Sequence, residues 1–128
     1  MAVTRKRMRL LARLDPWAPP LVLMAVIFAL SAQSDLSSGL GTIDLIGRKI
    51  VHAAEYALLC FLWWRALRTV VARTPALAGA FAIAVLYSAS DEWHQTFVSG
   101  RHGSPVDVLI DATGAAIAAL LIRRSGRG

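Results

Sequence analysis

Ala76-Leu77-Ala78-Gly79-Ala80-Phe81-Ala82-Ile83-Ala84-Val85-Leu86-Tyr87-Ser88-Ala89-Ser90-Asp91-Glu92-Trp93-His94-Gln95-Thr96-Phe97-Val98 opens as an unbroken apolar run and closes in a knot of acids and a histidine. Its length matches the roughly 17 to 25 residues of a membrane-spanning helix. Three further apolar runs flank it, at 17–33, 50–72 and about 105–122. The 128 residues are 56% hydrophobic and only 17% charged, with a mean hydropathy of +0.55. A small soluble domain cannot hide that much apolar surface. The sequence therefore predicts an all-α membrane protein, a compact four-transmembrane-helix bundle over 17–123, with basic segments at 1–16 and 124–128.

The net charge of +6 and pI of 10.7 raise the question of nucleic acid, and the distribution of the basic residues argues against it. Arg5, Lys6, Arg7, Arg9 and Arg13 precede the first run, Arg65, Arg68 and Arg73 close the second, and Arg123, Arg124 and Arg127 follow the fourth. Only Arg48, Lys49 and Arg101 fall in the other connections. Short loops rich in Lys and Arg stay in the cytoplasm, so both termini are expected there, in a bacterial inner membrane. No soluble domain is left to present a nucleic-acid patch.

Residues 1–31 also carry the marks of a signal peptide, with Ala29-Leu30-Ser31 as a small-residue cleavage site; the long apolar run predicts that the segment is retained. Met8, Arg9, Leu10, Leu11 and Leu14 suit a basic amphipathic helix weakly attracted to anionic lipid. The stretch 35–47 reads as the long loop, with a short interfacial helix around Ile43, Leu45 and Ile46. Cys60 is alone, a small buried hydrophobe. Trp17, Trp63, Trp64 and Trp93 suit interfacial positions, while His102 lies in a loop. Oligomeric state has no signature in the sequence.

Helical spacing gathers the ionisable residues. His52, Glu55, Tyr56 and Leu59 form one stripe, Ser88, Asp91, His94 and Gln95 a second, and Asp107, Asp111, Gly114 and Ala118 a third. Glu92 is turned about 100° from the second stripe, and Asp111 lies about 6 Å deeper than Asp107. Topology brings these stripes to one side of the membrane. Each charge costs roughly 2.5–3.5 kcal/mol at mid-bilayer on insertion scales, so a cluster of them calls for a function. Tyr56 and Tyr87 are expected to hydrogen-bond within the pocket.

The block from Ser90-Asp91-Glu92-Trp93-His94-Gln95 through Gly100-Arg101-His102-Gly103-Ser104-Pro105-Val106-Asp107 resembles the signature of the VanZ-like family of small integral membrane proteins. Arg48-Lys49-Ile50-Val51-His52-Ala53-Ala54-Glu55-Tyr56 and Ser31-Ala32-Gln33-Ser34 resemble that family's other motifs, in the same order. The resemblance implies a compact integral membrane protein of a family associated with resistance to the glycopeptide teicoplanin. The chain departs from the family pattern at Arg48, where an acid often precedes the lysine, at Asp111 for asparagine, and at Ala118 for glycine.

Three chemistries suit the constellation. In the first, Lys49 and Arg101, with Gln95, Ser104, Asp107 and Asp111, bind a phosphate-bearing envelope lipid or lipid-linked precursor, arginine holding phosphate bidentately and Gly100 and Gly103 letting the backbone approach. In the second, His52 or His94 is a general base oriented by Asp91 or Glu92, with Glu55 nearby, in a hydrolase or transferase. Ser90, Ser99 and Ser104 lack a nucleophile-elbow context, which favours an activated water. In the third, the same histidines and acids bind a divalent metal, for which their spacing is a weak signal. Against all three stands a hydrogen-bonded network that merely fixes helix registry. The size of the cluster and its placement at one face favour a functional pocket, because Gly79, Ala80, Ala84, Gly114, Ala115 and Ala118 already supply small helix contacts.

Overall fold

A computed structural model describes residues 2–31, 42–95, 97 and 105–126. Among these residues the chain is all-helical, with α1 (Ala2–Leu14), α2 (Ala18–Ser31), α3 (Thr42–Leu67), α4 (Arg73–Gln95) and α5 (Pro105–Ser125). Prolines mark the starts. Pro19 and Pro20 sit in the first turn of α2, Pro75 in that of α4, and Pro105 opens α5, positions whose amides have no intrahelical acceptor to lose.

α3 begins earlier than the apolar pattern alone predicts. Residues 42–47 are its first turns, where a separate interfacial helix was expected; residues 35–41 of that stretch lie outside the described residues. Its end also comes earlier, at Leu67 rather than 72. There the β-branched run Thr69-Val70-Val71 meets a tightened turn, with Thr69 and Val70 amides donating to Ala66 and Leu67 carbonyls at 3.2 and 3.0 Å.

α3 and α5 are long and apolar enough to cross a membrane, and α1 with α2, bent by 56° at their junction, qualify together as a third, broken span. The 14 residues of α2 rise only about 21 Å, short of the roughly 30 Å hydrocarbon core. α4 is not among the candidates, since its last turns carry Ser88, Asp91, Glu92 and His94.

α3, α4 and α5 pack most extensively on one another, and α2 rests on α3 and α4. Small residues make this close packing possible. Ala76, Ala80, Ala84 and Ser88, four apart on α4, are all buried, as are Asp111, Gly114, Ala115, Ala118 and Ile122 on α5. Tyr56, Leu59, Cys60 and Trp64 fill the α3 side of the core. Leu58, Phe61, Leu86, Leu109, Ile117, Leu120 and Leu121 point outward, as expected where lipid is the solvent and tight contact of small residues, not apolar burial, joins the helices.

The contacts define two ends. At the basic end, Arg65 holds Asp15 of the α1–α2 turn at 2.8 Å and Trp17 meets Trp63 edge-on at 6.3 Å. Arg68 and Arg73 lie 4.6 and 5.5 Å from the Trp64 ring, and Arg73 donates to the Ile122 carbonyl near the end of α5 at 2.6 Å. Arg73 thus ties α3, α4 and α5 together. Arg73→Ala is expected to cost about 1–3 kcal/mol of stability, from a charge-assisted hydrogen bond and a ring contact. Arg73→Lys should fall between alanine and wild type, because it keeps the charge without the planar stack. Thermal unfolding in detergent checks this; a lysine variant no better than alanine would show that charge contributes nothing.

Candidate functional site

The opposite end holds the ionisable residues. Three helices converge there: the first half of α3, the last turns of α4 and the first turns of α5. At its rim, the Lys49 ammonium donates to the Asp107 carboxylate at 3.0 Å, with both side chains about one-third exposed. The sequence leaves Lys49 beside Arg48 with no local acid; the fold supplies one from 58 residues away.

One helical turn deeper lies Asp111, only 3% exposed. The Ser88 hydroxyl of α4 donates to its Oδ2 at 2.8 Å, and His52 Nδ1 of α3 approaches its Oδ1 at 3.8 Å. The same His52 nitrogen lies 4.0 Å from Glu55 Oε2. Both separations are too long for hydrogen bonds, so the three side chains are neighbours and not a bonded triad. The Nδ1 edge of His52 therefore faces two carboxylates, and Nε2 lies on the other edge of the ring.

Asp91 is buried on α4. Glu92 is buried on the same turn. His94 faces α2, stacked on Phe28 with ring centroids 4.4 Å apart. Among the described residues it forms no ion pair with the acids. Gln95 ends α4 with its side chain outside the description, and Arg101 and Ser104 lie outside the described residues.

The two tyrosines part company. Tyr56 is wholly buried, and its hydroxyl has no hydrogen-bond partner among the described residues. Tyr87, expected to bond within the pocket, instead donates to the Met24 carbonyl of α2 at 2.5 Å, because its position one residue before Ser88 turns it toward the neighbouring helix.

A metal centre needs at least three convergent ligands. Among the described residues no three His, Cys, Asp or Glu side chains are arranged to hold a metal ion.

The sequence model of the VanZ/LLP1 family matches residues 5–125, nearly the whole chain. The chain belongs to the VanZ/LLP1 family. No curated protein and no solved structure gives a significant match. In this VanZ/LLP1 chain the motifs that carry the sequence resemblance include Lys49, His52, Glu55 and Asp107; the fold pairs Lys49 with Asp107 and sets His52 beside Glu55 and beside Asp111, where the chain departs from the family pattern. Ser88 and Phe28 were absent from the candidate site. Ser88 had a legible signal, its three-residue spacing from Asp91 on the inward stripe; Phe28 had none, because its contact with His94 depends on how α2 docks.

Proposed function

We propose that this VanZ/LLP1 chain is a four-pass protein of the bacterial inner membrane, with both termini cytoplasmic, that binds the polar headgroup of a phosphate-bearing envelope lipid or lipid-linked precursor at its outer-leaflet end. The observation that carries the reading is His52 held between Glu55 and Asp111, at 4.0 and 3.8 Å, inside helices of membrane-crossing character. Ionisable groups at such depth are retained for a ligand, a proton or an ion far more often than for packing.

Charge apportions the ligand. Lys49 is committed to Asp107, so the described interior, with Glu55 and Asp111 beside His52 and Asp91 buried on α4, is rich in acceptors. It suits the hydroxyl or amine groups of a headgroup. The phosphate falls to Arg101, the sequence's candidate for bidentate binding. A family link to glycopeptide resistance fits a protein that engages envelope precursors.

A second reading, a membrane-embedded hydrolase or transferase, is favoured by the Nδ1 geometry, which leaves His52 Nε2 to take a proton from water or a substrate hydroxyl. Native mass spectrometry of gently purified protein separates these readings. Wild type should retain a phospholipid or undecaprenyl-type adduct, Arg101→Ala should lose it, and Glu92→Gln should keep it. A well-folded wild type without any adduct would overturn the headgroup reading. An adduct that accumulates as unreacted lipid in Glu92→Gln but as product in wild type would move the conclusion to the enzyme.

A further inference from the structure

The polar end does not use α1, which has a chemistry of its own. Its 13 residues include Arg5, Lys6, Arg7, Arg9 and Arg13 and no acid. Val3, Met8, Leu10, Leu11 and Leu14 are between 51% and 79% exposed, and none of the main helix packings of the bundle involves α1. At 100° per residue Val3, Leu10, Leu11 and Leu14 share one face, and Arg5, Arg9 and Arg13 lie largely opposite. Arg7 falls within the apolar face, where its aliphatic stem can lie along lipid while the guanidinium snorkels out.

The elbow decides where this face goes. α1 departs from α2 by 56°, and the three-residue turn Asp15-Pro16-Trp17 is clamped by Arg65 at 2.8 Å and by Trp63. Added in the same sense to an ordinary span tilt of about 20–40°, that bend brings α1 close to the membrane plane. Arg68, Arg123 and Arg124 are exposed at the same end of the bundle. Three residues from a helix in the bilayer, α1 meets the lipid surface at very high effective concentration, ahead of any soluble partner.

We propose that α1 is an interfacial helix that binds an anionic lipid surface, burying Val3, Leu10, Leu11 and Leu14 at the acyl boundary and turning Arg5, Arg9 and Arg13 to the headgroups. This surface is independent of the polar-end site and stands whether or not that site binds a headgroup.

The test uses the full chain in a Cys60→Ala background. Arg9→Cys, Leu10→Cys, Leu11→Cys, Arg13→Cys and Leu14→Cys are made one at a time and labelled with an environment-sensitive fluorophore. Each is reconstituted into phosphatidylcholine vesicles with or without a quarter of phosphatidylglycerol. With anionic lipid, labels at 10, 11 and 14 should be blue-shifted and at least about threefold better shielded from an aqueous quencher than those at 9 and 13; without it the contrast should shrink. Uniform quenching would overturn the proposal by leaving α1 in water, and uniform shielding by making it part of a broken span with α2. Equal contrast in both vesicles would overturn the preference for anionic lipid, and a pattern appearing only on addition of an RNA oligomer would assign the basic face to nucleic acid. Hydrogen exchange of residues 2–14 in the unlabelled wild type, expected to be several-fold slower on the anionic vesicles, keeps the test valid if the cysteine background folds poorly; equal rates overturn the proposal.

Discussion

Gly114→Leu is expected to abolish most folded protein. A Cβ at position 114 would overlap the backbone carbonyl of Ala53, and no rotamer can move a backbone. α3 and α5 form the most extensive helix pair of the bundle, so the clash must be relieved by separating them. Overpacking typically costs about 1–3 kcal/mol, and a backbone-to-backbone obstruction belongs at or above the top of that range. Because the same crossing sets the register of Lys49 with Asp107 and of His52 with Asp111, ligand retention should be lost together with stability. Gly114→Ala meets the same carbonyl and should show a milder form of both losses. Fluorescence-detected size exclusion and thermal unfolding in detergent read the result. Wild-type yield and melting in the leucine variant would mean that α3 and α5 do not cross here.

Asp111→Asn, which restores the asparagine of the family pattern, is expected to do the reverse, sparing the fold and weakening the acidic interior particular to this chain. Asparagine keeps an oxygen for the Ser88 hydroxyl, now 2.8 Å away, so the helix contact survives. Side-chain hydrogen bonds between membrane helices average only about 0.6 kcal/mol in any case. What disappears is the charge 3.8 Å from His52 Nδ1. Removing an electrostatic contact of this length costs on the order of 1 kcal/mol or more, so ligand retention or turnover should fall about fivefold or more. Melting should stay near that of wild type. Asp111→Ala, which also strands the Ser88 hydroxyl, should add a loss of stability. If asparagine leaves lipid retention by native mass spectrometry unchanged, His52 and Asp111 serve registry alone and the site reading fails.

Sequence periodicity located the helices well wherever apolar residues dominate. It placed α4 and α5 within a few residues, because Pro75 and Pro105 punctuate their starts and the polar turn of Asp91 to Gln95 closes α4. It failed at the start of α3, where Thr42 to Gly47 mix polar and apolar residues and only tertiary packing decides between loop and helix. The inward stripes were legible because three- and four-residue spacing is a property of the helix itself. The pairings across helices were not. Lys49 with Asp107 and Tyr87 with Met24 depend on the height at which each helix docks, and no single-helix pattern encodes that height. Of the first apolar run, 17–33, residues 18–31 are helical in α2 and 32–33 lie outside the described residues; the bend before it falls at Pro16, which disfavours a helix continuous with α1.

The reliance of the polar end on α5 has a consequence for biogenesis. A chain leaves the ribosome N-terminus first, yet Asp107 and Asp111, the partners of Lys49, His52 and Ser88, belong to the last helix. Lys49 waits through 58 residues of further synthesis and Ser88 through 23 before those partners arrive. During that interval Lys49, His52 and Ser88 lack the α5 carboxylates that they meet in the fold. α5 is translated after α3 and α4 and closes the circuit, so a nascent chain stalled before it would expose these polar groups without their partners.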